Sequence, residues 1–183
     1  MRSEKHMALV AGGARSGKSA FALRWAMTAG DQRLFVATAQ ALDEEMGERI
    51  ERHRVERGDE FRTLEAPLQL EDALAASHAV DVVVIDCLTL FVSNLLLAGQ
   101  SDEAIVSRME AIGEQLSRAP FSTIVVSNEV GMGIVPENAL SRRFRDLTGR
   151  AHQLLAQRCD ELYFATMGTI LRLRPAPVEV CTL

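Results

Sequence analysis

Cysteine, proline and aromatic residues are all scarce in this chain of 183 residues, which has three Cys, five Pro, seven Phe, one Trp and one Tyr. The cysteines, Cys87, Cys159 and Cys181, are odd in number and share no short spacing. That excludes a disulfide framework and a cysteine-based zinc site, and it fits a reducing cytoplasm. Basic residues are not in excess either: 20 Lys and Arg face 25 Asp and Glu, a net charge of −5. A protein that neutralises many phosphates of a nucleic acid is normally basic, so that class is disfavoured. No apolar run approaches the roughly 18 residues of a membrane-spanning helix. The mixed charge from Met1 to Met7, followed by an apolar stretch only as far as Val10, does not read as a signal peptide. Internal repeats, low-complexity tracts and linkers are lacking as well.

What is present is an ordinary globular composition, 48% apolar and 25% charged, with enough chain to bury a continuous core. Short β-type runs at 7–11, 34–37, 80–85, 123–126, 161–165 and 169–173 alternate with helical patterns at 18–27, 42–57, 68–77, 89–98, 102–118 and 139–158. Strands apolar throughout and separated by helices predict an α/β fold: a mostly parallel sheet with helices on both faces. The last two strands are too close for a crossover and are expected as an antiparallel hairpin at the edge. The tail at 174–183 is expected to be loosely held. A single domain over 1–183, with its core at about 8–172, is the economical reading.

Gly12-Gly13-Ala14-Arg15-Ser16-Gly17-Lys18-Ser19 fits G-x-x-x-x-G-K-[ST] between a strand and a helix. Such a loop turns its backbone N–H groups around phosphate oxygens at the positive end of the helix. Lys18 would reach the β- and γ-phosphates and Ser19 would hold Mg²⁺. Asp86, after V-V-V-I, is the matching carboxylate at a strand end for the metal, or else a helix cap. A nucleoside triphosphate with Mg²⁺ is therefore the expected ligand, in a P-loop NTPase-like fold.

A GTPase switch is the first rival function. Asp146-Leu147-Thr148-Gly149 matches D-x-x-G, but it falls in a helical pattern and no N-K-x-D sequence follows. An ion pair of Asp146 with Arg150, at i and i+4, explains it more simply. In the pattern at 42–57, Leu42, Met46 and Ile50 recur every fourth position and His53 continues their stripe. An inward imidazole there is either a hydrogen-bonded core histidine or a nucleophile that forms a phosphoramidate. Arg49, Arg52, Arg54 and Arg57 would either charge that site or solvate the helix. The stretch S-N-E-V-G-M-G-I-V-P from Ser127 to Pro136 leaves a strand at its C-terminal end. It is a substrate loop or a structured turn.

Taken together, these strings resemble the bifunctional adenosylcobinamide kinase/adenosylcobinamide-phosphate guanylyltransferase family of cobalamin biosynthesis. The resemblance is carried by G-G-A-R-S-G-K-S at 12–19, V-A-T-A at 36–39, D-E-E-M-G-E-R-I-E-R-H at 43–53 and R-T-L-E at 62–65. It continues through I-D-C-L-T at 85–89, N-L-L at 94–96, S-N-E-V-G-M-G-I-V-P-E-N at 127–138, F-R-D at 144–146 and G-R at 149–150. It implies phosphorylation of adenosylcobinamide by a nucleoside triphosphate, ATP or GTP, and then transfer of GMP from GTP through a covalent histidine. That position matches His53; where some relatives have two adjacent histidines, this chain has Arg52 first, and His6, His78 and His152 lie outside the motif. The resemblance also implies nucleotide contacts from the P-loop, from Ala37, Thr38 and Ala39, from Arg54, Val55, Glu56 and Arg57, and from Glu65 and Asp86. It further implies a homotrimer. Arg142, Arg145 and Arg150 would then meet a neighbour's phosphates or form a solvated basic face. No D-x-H-x-x-G string for gripping cobalt is present, so the corrinoid is expected to be held by its ring periphery and aminopropanol arm. A single-activity P-loop kinase with a structural His53 is the alternative.

Overall fold

In the computed structural model, which describes residues 5–41, 43–77 and 79–181, the strands pair into one sheet of eight in the order β3-β2-β4-β5-β1-β6-β7-β8. These are β1 (Met7–Gly12), β2 (Arg33–Ala37), β3 (Arg62–Glu65), β4 (Val82–Asp86), β5 (Ser122–Asn128), β6 (Glu161–Thr166), β7 (Thr169–Arg174) and β8 (Glu179–Cys181). The first six run parallel, joined by α1 (Lys18–Ala29), α2 (Glu44–Arg57), α3 (Leu70–Ala75), α4 (Leu88–Leu97), α5 (Asp102–Ser117) and α6 (Ala139–Ala156).

The strand alternation explains the layers. Leu9, Leu34, Val36, Val83, Ile85 and Val125 point into one core with residues of α3, α4, α5 and α6. Their neighbours Ala8, Val10, Phe35, Val82, Val84, Ile124 and Val126 face the other core, against Ala22 and Ala26 of α1. Side-chain caps set several helix starts: Asp43 accepts from Met46 N–H, Ser101 from Ala104 N–H and Asn138 from Ser141 N–H. Arg108 of α5 ties α5 to α3 by a two-pronged bond to Glu71, at 2.7 and 2.6 Å.

The parallel sheet and its two helical layers match the expectation from sequence. The expected C-terminal hairpin forms between β6 and β7, through Met167 and Gly168, both at positive φ (50° and 75°). It is not the sheet edge, however. The tail expected to be loose supplies β8, which pairs with β7 in the register Ile170 with Cys181 and Arg172 with Glu179. An Arg172–Glu179 ion pair and the packing of Cys181 against the second core hold it there. At the opposite edge β3 pairs with β2, held between buried Phe61 and Ala66. The expected helix start at Leu42 lies outside the described residues.

Candidate active site

The parallel strands end at one edge of the sheet, where open α/β folds place their ligands. Glu65, Ala37 and Asp86 occupy one row across β3, β2 and β4. Gly12 ends β1 opposite Asn128 of β5 and Ala165 of β6.

The phosphate loop follows from local chemistry. A Cβ at Gly12 would stand 2.2 Å from the Ala165 carbonyl oxygen, so only glycine lets β1 run this close to β6. Gly17 has φ +94°, a left-handed conformation that turns the chain into α1. Arg15 also lies at positive φ (54°), and Ala14, like Gly13 and Arg15, is exposed. Ser16 is buried with no hydrogen-bond partner for its Oγ. The ammonium of Lys18 donates to the Gly13 carbonyl at 2.7 Å, which folds it back over the loop.

Asp86 is the junction of the site. Burial pushes its carboxyl above the ordinary 3.8, against a hydrogen bond from Ser19 and the electrostatic influence of His53, Lys18 and Arg57. Four of the residues singled out in the sequence therefore converge on a fifth. His53 is half-buried on the same face of α2 as the half-buried Met46 and Ile50, so the stripe read from the sequence does face inward. Arg57, one turn further on, is buried and stacks its guanidinium over the Phe35 ring at 3.9 Å. Ser19 and Asp86 offer a hydroxyl and a carboxylate, hard oxygen donors that suit Mg²⁺. No group of three or more metal-ligating side chains occurs among the described residues.

The other expected contacts divide. Thr38 is fully buried, and its hydroxyl spans the Cys87 backbone, accepting from the N–H at 2.8 Å and donating to the carbonyl at 2.7 Å. Its side chain thus fixes the chain just after Asp86, while its own carbonyl is held by Asn94 Nδ2 at 2.8 Å. Ala37 and Ala39 are half-buried beside it, and Glu65 is exposed at the end of β3. Arg54 points to solvent in an ion pair with Glu51, and Val55 is 72% exposed. The side chains of Arg49 and Glu56 lie outside the described residues. Asp146 pairs with its neighbour Arg145 at 3.2 Å, rather than with Arg150 as its spacing suggested.

The structure adds a cluster that sequence reasoning missed. His152 Nε2 of α6 lies 2.6 Å from Ser127 Oγ, which lies 3.1 Å from Thr89 Oγ1. Thr89 Oγ1 accepts the Asn128 N–H at 2.6 Å. Burial lowers the His152 pKa below 6.5, opposed by Glu129, whose Oε2 is 3.8 Å from Nδ1. The one signal in the sequence was that His152 shares the inward face of α6 with Thr148 and Leu155.

Residues 8–173 match the family model described as cobinamide kinase / cobinamide phosphate guanyltransferase. The chain is 43% identical over 171 residues to the bifunctional adenosylcobalamin biosynthesis protein CobP of Pseudomonas aeruginosa, a match covering 93% of this chain and 98% of that protein. It is 39% identical over 183 residues to the bifunctional adenosylcobalamin biosynthesis protein CobU of Salmonella typhimurium, covering 92% of this chain and 99% of that protein. Among solved structures, the RadB recombinase superimposes with a TM-score of 0.56 at 16% identity, over 96% of this chain and 86% of that one. That likeness is one of fold.

Proposed function

The chain belongs to the cobinamide kinase / cobinamide phosphate guanyltransferase family, and from that premise we propose that one phosphate loop serves two successive transfers. In the first, a hydroxyl on the aminopropanol arm of adenosylcobinamide attacks the γ-phosphorus of ATP or GTP; the bond to the β,γ-bridging oxygen breaks, ADP or GDP leaves, and the hydroxyl proton passes to solvent or to the departing phosphate. In the second, a neutral ring nitrogen of His53 attacks the α-phosphorus of GTP, and the bond to the β-phosphate oxygen breaks to release pyrophosphate. The phosphate of adenosylcobinamide phosphate then attacks the same phosphorus. The P–N bond breaks, adenosylcobinamide-GDP leaves, and the electron pair returns to the imidazole.

The observation that carries this reading is the convergence of Ser19, Lys18, His53 and Arg57 on Asp86. It supports placing a nucleophile, a phosphate-binding lysine and a pair of hard oxygens around one triphosphate. Lys18 and the loop N–H groups would meet the charge that develops at either phosphorus. Ser19 and Asp86 would hold Mg²⁺, which when bound neutralises charge on the phosphate oxygens. Arg57, immobilised on Phe35, would supply a fixed positive charge beside His53. Ala37, Ala39, Glu65 and the α2 turn carrying Arg54, Val55 and Glu56 would border the nucleotide. In this reading residues 1–183 act as one domain, in a cytoplasmic homotrimer whose neighbours border the site.

The test uses GTP labelled in the α-phosphate with Mg²⁺. The parent protein should acquire an acid-labile, alkali-stable label, and His53→Ala should acquire none while retaining kinase turnover. Lys18→Ala should impair both transfers. A label that survives denaturation on His53→Ala would overturn the assignment.

A further inference from the structure

We propose that the loop between β5 and α6, with the basic face of α6 beneath it, is the docking surface for the acceptor, a corrinoid whose arm ends in phosphate. The proposal rests on the acceptor chemistry given above and assigns it a place in the fold.

The loop is anchored at both ends. Glu129 N–H donates to the Gly12 carbonyl at 2.9 Å, and Glu129 Oε1 accepts the Gly131 N–H at 2.5 Å. At the far end Arg142 Nη1 donates to the carbonyls of Pro136 (2.9 Å) and Glu137 (2.5 Å). Between these anchors the chain presents Met132 (79% exposed), Ile134 (97%) and Val135 (59%) to solvent. Three large apolar side chains within four residues stand exposed in a loop held at both ends, and Val135 is the one that lines the cavity between the loop and α6.

The chemistry of that cavity says which occupant fits. An open cavity of about 580 Å³ lies between the loop and α6, its lining including Gly131, Gly133, Val135, Arg150, Gln153 and the Arg145–Asp146 ion pair, which leaves the Arg150 guanidinium in excess. Two guanidinium groups against one carboxylate leave the cavity positive, although the chain as a whole is acidic. Arginine forks match phosphate geometry, and glycines allow close approach of a ligand to backbone. The surface thus offers an apolar shelf beside an anion site. That combination suits a bulky ring with alkyl substituents and one phosphorylated arm better than it suits a nucleotide, whose phosphates have their own loop. Position agrees, since Gly131 is two residues from Glu129. Chain geometry therefore keeps it within about 14 Å of Gly12, the residue that opens the phosphate loop. A docked acceptor could thus reach a phosphorus held there.

Equilibrium dialysis of the full-length protein with adenosylcobinamide and with adenosylcobinamide phosphate, followed by corrin absorbance, reads the surface without any transfer step. Val135→Asp, at the exposed apolar residue that lines the cavity, should weaken both ligands by about tenfold. Arg150→Ala should weaken the phosphorylated ligand by about tenfold and the unphosphorylated one by less than about twofold, with Arg150→Lys recovering part of the loss. Both residues are exposed, so folding should be preserved, and labelling of His53 by GTP should remain within about twofold of the parent. Unchanged affinity for both corrinoids in these variants would overturn the proposal. So would sedimentation showing that the variants lose affinity only because subunits separate, which would make a second copy of this chain the occupant. A parent protein that binds both corrinoids but takes no label would instead refute the guanylyl-histidine reading and leave the docking surface standing.

Discussion

Gly12→Ala is the sharpest test of how the phosphate loop is built. A methyl group at this position would stand 2.2 Å from the Ala165 carbonyl oxygen and 3.0 Å from both the carbonyl carbon and the Cβ of Ala165. The nearest of these atoms are backbone, so no rotamer change relieves the clash. Gly12 and Ala165 are register partners across β1 and β6, and the Gly12 carbonyl also receives the Glu129 N–H. Ordinary contact would require the two strands to part by at least about 1 Å. That movement breaks pairing at the sheet's ligand-binding end. Overpacking of this kind costs about 2–3 kcal/mol, and a domain of this size loses about 2–4 °C of Tm per kcal/mol. Thermal unfolding followed by circular dichroism should therefore show a Tm lower by about 4–12 °C. Gly13→Ala is the control, because a Cβ there meets nothing within 4 Å, and its Tm should match the parent. Since the strand end carries the whole loop, the kinase and guanylyl transfers of Gly12→Ala should fall in parallel. A Tm within about 1 °C of the parent would refute the close approach of β1 to β6 as the reason for glycine.

Two further predictions concern titrating groups. Burial raises the Asp86 carboxyl above 3.8, so the folded chain holds that proton more tightly than the unfolded one. Stability should fall as pH rises from 3.8 through the folded value. Asp86→Asn removes that loss and should be at least as stable as the parent at about pH 7, by urea unfolding in the presence of a chelator, while both transfers fall by about 100-fold or more. A variant clearly less stable than the parent at that pH would show that Asp86 supports the fold. His152 has the opposite sign, because burial lowers its pKa below 6.5 and the unfolded chain takes the proton first as pH falls. The parent should lose stability below about pH 6.5, and His152→Gln should flatten that slope in urea midpoints measured between about pH 7.5 and 5.5. An equal slope in both proteins would contradict the buried neutral imidazole.

What was legible in the sequence was what local chemistry determines. The phosphate loop and the Asp86 strand end announce themselves because glycine, lysine and a β-branched run must stand at fixed offsets. The two edge strands were illegible for a physical reason: β3 is exposed along its four residues, and β8 has three residues behind Pro175 and Pro177. Neither shows a hydrophobic period: strand pairing, buried flanking residues at β3, and an ion pair and a packed cysteine at β8 hold them in place. His53 was half legible, since its stripe gave the inward direction, but only the folded chain brings it to Asp86. Thr38 shows the converse. Its motif suggested a nucleotide turn, while its hydroxyl is committed to Cys87, forty-nine positions away. The same distance effect hid Ser127, Thr89 and His152, which lie on three elements and meet only through tertiary structure.

The packing around the site suggests why two transfers can share it. Lys18 and Ser19 open α1 and Asp86 ends β4, two elements with other side chains packed into the cores. A phosphate cradle used in both reactions has to keep one geometry, and rigid elements provide that. His53 sits on a different kind of element. Among the described side chains of α2 only Arg57, stacked on Phe35, is buried, while Met46, Ile50 and His53 along its inward face are half-buried. In the proposed reaction His53 has to be reached first by the α-phosphorus of a nucleotide and then, once guanylylated, by a bulky acceptor. A lightly covered helix leaves room for both approaches. Asp86 joins the two regimes: it is fixed by its strand to the cradle and coupled by charge to His53 and Arg57 on the helix above.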